Sequence, residues 1–266
     1  MINLRRNRPD FEMYDQIAPY YDLIHSGLKE DLVLFISLSA EVGDPILELG
    51  CGTGRLFLTL CRIGHTVIGI DNSPAMLEIA REKVAKERNS VRDRVSLVEG
   101  DITSFELNQR FGLAIIPYNT LFHLDRNGRR KCFRRVEKHL HPGGLFVVDV
   151  DNPFEIGDPV EDGYLLLERS MIEPGSDRLI LQMTSSWVDN DTQQRHMTWI
   201  IDESSINGGA VNRKVVKSIF HYVNPHELEE EFRSAGLRLK ALYGDYDRTP
   251  FGEDSPRLLA IAQKPD

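Results

Sequence analysis

The sequence predicts an α/β fold: a doubly wound parallel sheet with helices on both faces and a small antiparallel β insertion. Three observations lead there. Between residues 45 and 151, short apolar strands alternate with helical stretches. The turn in ILELGCGTGRL (46–56) sets glycines on alternate positions between a strand and a helix. From about 164 to 223 the alternation gives way to four short segments of period two, separated by turn signals.

The elements follow in order. FEMYDQIAPYYDLIH (11–25) places Tyr14, Ile17, Tyr21 and Ile24 at helical spacing, and KEDLVLFISLSAEVG (29–43) is a second helix closed by Gly43. PILELG (45–50) is a buried strand and RLFLTLCRIG (55–64) a helix ended by Gly64. TVIGID (66–71) is the next strand. SPAMLEIAREKVAKER (73–88) is a helix with Ser73 as N-cap and Pro74 at its first position. RVSLVEGD (94–101) and FGLAIIPYN (111–119) are strands. The helix 126–140 ends at HPGG (141–144), and LFVVDVD (145–151) is the fifth strand. YLLLERSMI, RLILQMTSSWV, RHMTWIIDES and KVVKSIFHYV form the antiparallel block. A helix at 224–236, capped by Asn224, and strands at 237–245 and 257–264 complete the chain. The block at 160–223 depends on its flanks, so the expectation is one domain over 1–266 with the block inserted in it.

Composition excludes several classes. The 266 residues carry 32 basic and 41 acidic side chains, a net charge of −9, which argues against a general nucleic-acid-binding surface. The basic stretch RNGRRKCFRR (126–135) reads as the solvated face of a helix or, alternatively, as an RNA contact. Cys51, Cys61 and Cys132 form neither a disulfide framework nor a metal or redox pair, which suits a reducing, cytoplasmic compartment. No metal site is expected. MINLRRNRPD has no apolar stretch behind it to make a secretory signal, and the longest apolar run, LVLFISLSA (32–40), is too short to span a bilayer.

Alternate glycines after a buried strand let backbone approach a ligand, and the next helix offers free N–H groups at its start. A dinucleotide site wants a third glycine or alanine five positions after the first, where this chain has Arg55. That weighs against a nicotinamide-dependent oxidoreductase. Asp71 ends the next strand, 21 residues beyond Gly50, where a carboxylate accepts hydrogen bonds from ribose hydroxyls. Asp101 follows the third strand and suits an exocyclic amine such as adenine's. Acidic groups at three strand ends (Glu48, Asp71, Asp101) disfavour a pyrophosphate and suit a nucleoside that also carries positive charge.

ELGCGTG, GIDNSPAML, VEGDI and HPGGLFVVD together resemble the class I S-adenosylmethionine-dependent methyltransferases, over about 10–153 and again over 224–264. The resemblance implies a Rossmann-like seven-stranded sheet with the last strand antiparallel. It implies S-adenosyl-L-methionine as cofactor and S-adenosyl-L-homocysteine as product. Glu48, Gly50, Cys51, Gly52 and Gly54 would lie near the methionine part, with Asp71 on the ribose and Asn72 also binding the cofactor. Met76 and Ile102 would face the adenine, Asp101 its amine, and Pro117 and Tyr14 would complete the site. YDLIHSGLKED, IIPYNTLFHL and FHYVNPHELEEEFRSAGLRL are similar to the small-molecule branch typified by sugar N-methyltransferases. In that branch the insertion helps build the acceptor pocket, and some members dimerise through it.

Methyl transfer from a sulfonium needs alignment and exclusion of water more than a catalytic triad. His123 is the candidate base, or a residue that opens the next helix. Asn119 orients the acceptor, or is a turn residue. Tyr21, with Tyr14, lays an aromatic face on the sulfonium, or belongs to the apolar face of its helix. Asp151 and Asn152 touch substrate, or make the turn before Pro153. Arg248 binds an acidic acceptor, or pairs with Asp245 or Asp247 beside Tyr246. Trp187, His196 and Trp199 line the acceptor pocket, or are core or dimer contacts. The function expected is methyl transfer to N or O of a small molecule, without membrane contact. The rivals are an RNA or protein methyltransferase and a non-catalytic nucleoside-binding module.

Overall fold

The computed structural model describes residues 9–156 and 163–266, with side chains from Met13 onward. The amino-terminal MINLRRNR and the first residues of the expected insertion, 160–162, lie outside the described residues. In chain order the elements are α1 (Pro9–Ile24), α2 (Glu30–Val42), β1 (Ile46–Leu49), α3 (Arg55–Arg62), β2 (Val67–Asp71), α4 (Pro74–Ala85), α5 (Asn89–Arg92), β3 (Val95–Glu99), β4 (Phe111–Ile116), α6 (Arg126–His139), β5 (Leu140–Asp151), β6 (Leu166–Ile172), β7 (Arg178–Asp189), β8 (Gln194–Ser205), β9 (Asn212–His221), α7 (Pro225–Ser234), β10 (Arg238–Tyr243) and β11 (Arg257–Gln263). Two compact units divide them, one of residues 28–157 with 221–266, the other of 1–27 with 158–220. The first helix thus groups with the inserted strands.

The larger unit is the seven-stranded sheet, in the order β10-β11-β5-β4-β1-β2-β3. The strands from β3 to β5 pair in parallel, and β11 runs antiparallel to both β5 and β10. Strand order reverses between β1 and β4, which sets a crevice at the carboxyl ends of those two strands. Period two along β5 sends Leu145 and Val147 into one core with Leu34 and Phe35 of α2 and Phe57 of α3. It sends Phe146 to the other face, where its ring meets Phe133 of α6 at 5.3 Å and Phe232 of α7 at 5.6 Å. Each such buried side chain contributes about 1.5–3 kcal/mol.

Local signals hold where chemistry supports them. Ser73 Oγ accepts from Met76 N at 3.2 Å ahead of Pro74. Glu227 Oε2 closes the start of α7 by accepting from Asn224 N at 3.2 Å. Two short pieces were not foreseen, the single turn α5 and a 3-10 turn at Thr120–His123. One turn carries no hydrophobic period to read. β5 also begins earlier than expected. Leu140 already pairs with Phe111, and the HPGG stretch is an irregularity inside the strand, with Gly143 at φ +75°.

The basic stretch divides by burial. Arg129 is buried and forks onto Glu231 of α7 at 2.9 and 3.0 Å. Arg135 and Lys138 reach Glu106, each at 2.6 Å, while Arg130, Lys131 and Arg134 are exposed.

The smaller unit holds α1 and a four-stranded sheet in the order β6-β7-β8-β9. Tyr20 Oη donates to Glu203 Oε2 at 2.7 Å, and Lys214 Nζ to the Gln16 carbonyl at 3.0 Å, tying the helix to β8 and β9. Along β7, Ile180, Gln182, Thr184 and Ser186 are buried at period two. Trp187 stacks on His196 at 3.8 Å and stays half-exposed, and Trp199 meets Phe220 edge-on at 6.2 Å.

Candidate functional site

The crevice between β1 and β4 is built from the glycine turn outward. Gly50 N and Cys51 N both donate to the Ile70 carbonyl, at 2.8 and 3.0 Å, which folds the turn against β2. Gly50 has φ +76°, and a Cβ there would run into the Thr120 side chain, so the segment after β4 packs directly on the turn. Gly52 has φ +52°, and a Cβ there would meet nothing within 4 Å. Its bare backbone borders open space, as close approach of a ligand requires. Gly54 lies at the start of α3, also left-handed.

The turn is pinned to the end of β2. Asp71 Oδ2 accepts from Gly52 N at 2.7 Å, and its Oδ1 from Ser73 N at 2.9 Å. Asn72 follows, half-buried, and Met76 is buried in the first turn of α4. Beyond β3, Asp101 Oδ1 accepts from Thr103 N at 2.7 Å, and Ile102 is buried beside it. The fold therefore brings Glu48, Gly50, Cys51, Gly52, Gly54, Asp71, Asn72, Met76, Asp101 and Ile102 to the ends of β1, β2 and β3 and the first turns that follow them. Pro117 and Asn119 follow β4, and His123 closes the 3-10 turn, half-buried. Tyr14 and Tyr21 lie on α1 in the smaller unit, their rings edge-on at 6.3 Å, with Tyr21 also 4.2 Å from the His25 ring.

Glu48 is 2% exposed, and its Oε2 has no hydrogen-bond partner. Burial pushes its carboxyl up to about 8, Asp31 and Asp71 add to the rise, and Arg55 and the Phe57 N–H oppose it. A buried carboxyl oxygen without a donor is costly. An ammonium brought by a ligand would complete it, so the residues present fit the amino-acid end of S-adenosylmethionine. Arg55, which stands where a dinucleotide site needs a small residue, forks onto buried Asp31 at 2.7 and 2.5 Å.

A second cluster, at the ends of β4, β5 and β11, went largely unread in the sequence. Asp149 is fully buried. It accepts from Arg257 Nη2 at 2.6 Å and Nε at 3.0 Å, from Tyr118 N at 3.0 Å and from Tyr246 Oη at 3.2 Å. Arg257 also bonds Asp151 and, at 3.3 Å, Asn119 Oδ1. Asn119 clamps Asp151 from both sides, donating from Nδ2 to Oδ2 at 2.9 Å and accepting from Asp151 N at 2.7 Å. Burial alone would lower the Arg257 guanidinium, but Asp149 and Asp151 more than reverse that and hold it above its ordinary value. Burial, then the Asp149 charge, raises the Tyr246 phenol. The available signal was Asp149 itself, a charge inside the apolar run LFVVDVD.

One sequence reading, that of Arg248, is resolved differently, while Asn152 does make the turn at Pro153: its Oδ1 accepts from Phe154 N and its carbonyl from Glu155 N, each at 3.1 Å. Arg248 pairs with neither Asp245 nor Asp247; it reaches α2, donating to Ser37 Oγ at 2.9 Å and Glu41 Oε1 at 2.6 Å. The backbone at Arg248 is left-handed, which turns the side chain that way. Asn152 is buried and fastens the loop before β11 by donating to the carbonyls of Glu253 and Ser255 at 2.6 and 2.7 Å. Among the described residues no cluster of His, Cys, Asp and Glu could hold a metal, and no helix is long and apolar enough to cross a membrane.

The sheet order, the antiparallel β11 and the acidic glycine-turn crevice define a Rossmann-like nucleoside-binding fold of the methyltransferase kind. Residues 46–144 match the family described as Methyltransferase domain. The chain is 26% identical over 261 residues to a cypemycin N-terminal methyltransferase of Streptomyces, covering 96% of this chain and 99% of that one. It is 30% identical over 149 residues to dTDP-3-amino-3,6-dideoxy-alpha-D-glucopyranose N,N-dimethyltransferase of Streptomyces fradiae, covering 53% and 55% of the two chains. Among solved structures it resembles the CcbJ methyltransferase from Streptomyces caelestis, with a TM-score of 0.80 and 28% identity over 96% and 98% of the two chains. Residues 46–144 are thus a methyltransferase domain, and over nearly its whole length the chain is similar to methyltransferases.

Proposed function

We propose that this methyltransferase acts on nitrogen of an amine-bearing small molecule. The observation that carries the reading is the charge of the crevice. Carboxylates stand at or just beyond the ends of β2, β3 and β5 (Asp71, Asp101, Asp149, Asp151), while Arg55 and Arg257 are both already paired. Such an edge favours cations and disfavours anionic acceptors. The name of the amino-sugar relative points the same way, since it describes N,N-dimethylation, and that of the cypemycin relative places its methylation at an N-terminus.

The cofactor supplies a methyl carbon on a positively charged sulfur that leaves as a neutral thioether. The chain's part is alignment, exclusion of water and handling of one proton. In this reading Asp71 holds the ribose hydroxyls, Asp101 and Ile102 the adenine with Met76, and Glu48 the ammonium of the methionine part. Asn119 orients the acceptor, and His123 takes the proton that an ammonium acceptor must lose before its lone pair can attack. Tyr14 and Tyr21 are the candidates for an aromatic face on the sulfonium. We further propose a cytoplasmic protein, its three cysteines buried and free, and pairing of two copies through β6, an edge strand with Leu166 and Leu167 exposed.

Thermal unfolding with S-adenosylhomocysteine, and separately with NAD, tests the site. At a hundredfold excess over the dissociation constant the first should raise the midpoint by about 5–10 °C and the second should not. Asp71→Ala should weaken S-adenosylhomocysteine binding more than tenfold with the fold intact; unchanged affinity removes the ribose assignment. Transfer of labelled methyl to amine, hydroxyl, tRNA and protein pools then decides the acceptor, and labelling of the hydroxyl pool alone sinks the nitrogen reading.

A further inference from the structure

The backbone just after β4 is held in an unusual shape. Tyr118 and Asn119 have φ +44° and +65°, both left-handed. Asparagine tolerates that region; tyrosine does so at a cost of order 1–3 kcal/mol. Two such residues in succession persist only where their surroundings fix them. Here Tyr118 N and Asn119 N both donate to Asp149, to its Oδ2 at 3.0 Å and its carbonyl at 2.9 Å. The Asn119 side chain is locked onto Asp151. One residue joins all of these partners. Arg257, at the start of β11, is in register with Asp151 and bonds Asp149, Asp151 and Asn119 Oδ1 at once, with its guanidinium 5.4 Å from the centre of the Tyr118 ring.

We propose that Arg257 is a positioning residue for methyl transfer: through Asp149 and Asp151 it holds Tyr118 and Asn119 in the one backbone shape that presents them to the acceptor end of the cofactor crevice. It rests on the methyl-transfer reading above, which places donor and acceptor after β4. The antiparallel direction of β11 is what makes this possible, because it brings the first residue of that strand, rather than its last, to the carboxyl ends of β4 and β5. A planar fork is required. Lysine would keep the charge and satisfy one carboxylate, but it cannot span Asp149, Asp151 and Asn119 together.

The test compares Arg257→Lys with wild type. Arg129→Lys serves as control, the same exchange in the buried α6–α7 pair. Binding of S-adenosylhomocysteine and of sinefungin, which carries an amine where the methyl group would be, is measured by calorimetry. Hydrogen exchange is followed without ligand. In Arg257→Lys the ratio of the two affinities should change fivefold or more, with S-adenosylhomocysteine itself within twofold. Exchange over 117–121 should accelerate at least tenfold, with 111–116 unchanged. Arg129→Lys should leave both readouts at wild type. A proportional loss of both affinities, or exchange rising equally along β4 and β5, overturns the proposal and leaves Arg257 as scaffold. So does an equal response in Arg129→Lys. Failure of wild type to bind either ligand overturns the cofactor reading, and the proposal with it.

Discussion

Glu48 and Asp149 are the same chemistry in the same kind of place, yet they are treated differently. Each is a carboxylate near the carboxyl end of a central parallel strand, and period two points both toward the face packed by α2 and α3. Asp149 is surrounded by donors from Arg257, Tyr246 and the Tyr118 backbone. Glu48 keeps one oxygen without any, and its carboxyl is pushed up to about 8. The chain completes one carboxylate from its own residues and leaves one oxygen of the other without a donor. Asp149 belongs to the architecture of the site; Glu48, in the reading proposed above, belongs to its ligand chemistry.

The largest effect that separates them is on stability. Asp149→Ala leaves Arg257 buried with Asp151 as its remaining acidic partner, and removal of one partner of a buried pair costs about 3–5 kcal/mol. Glu48→Gln removes a carboxyl that nothing in the chain completes, and should destabilise by no more than about 1 kcal/mol. Urea unfolding midpoints measure both. If Glu48→Gln proves the more destabilising, the contrast is wrong and Glu48 is architectural too.

Next comes a pH dependence that only one of the two carboxylates should show. Folding raises the Glu48 carboxyl from 4.5 to about 8. A group with a raised folded value binds more protons when native. Its favourable contribution is fully present below 4.5 and is lost as pH rises toward 8. Without ligand, wild type should therefore lose stability relative to Glu48→Gln across that window, by at most about 1.4 kcal/mol per pH unit. Parallel stability curves for the two proteins would show that Glu48 ionises normally.

Binding sharpens the same point. An ammonium set against Glu48 favours its ionised form, so S-adenosylhomocysteine should take up less well below pH 8 and release a proton on binding there. Glu48→Gln should weaken that ligand about tenfold or more, roughly 1.4 kcal/mol, and abolish the proton release. Calorimetry in buffers of different ionisation enthalpy reads both quantities. Unchanged affinity in the variant detaches Glu48 from the ligand.

The sequence showed half of this contrast. Glu48 stands beside the glycine turn, and the strand–helix alternation and the antiparallel block were readable from period and punctuation. The Asp149 cluster was not, because its members in the loop after β10 and at the start of β11 lie 97 and 108 residues from Asp149 of β5. Only the register of β11 against β5 brings them together. Asn119 was noticed for its place after β4, but its bond to Asp151 depends on a left-handed backbone that no local pattern announces. Arg248 misled for the opposite reason. Its acidic neighbours in sequence suggested a local pair, whereas its backbone turns it to α2.

The smallest effect carries the comparison into the other unit. The buried row on β7 also holds polar atoms without partners, Thr184 Oγ1 and Gln182 Oε1, although Gln182 Nε2 is bonded to Glu168 at 2.8 Å. If this row is kept polar for a ligand, as proposed for Glu48, Thr184→Val should leave the free protein unchanged or stabilise it by about 1 kcal/mol, since the methyl replaces a hydroxyl that makes no bond. If instead it loses 1 kcal/mol or more, the hydroxyl is satisfied in solution by water, and the row resembles Asp149: complete by itself and structural. A thermal scan of the two proteins without ligand distinguishes these outcomes. A gain would leave the hydroxyl with no role in the free fold, so that what keeps a threonine there is something the unit binds.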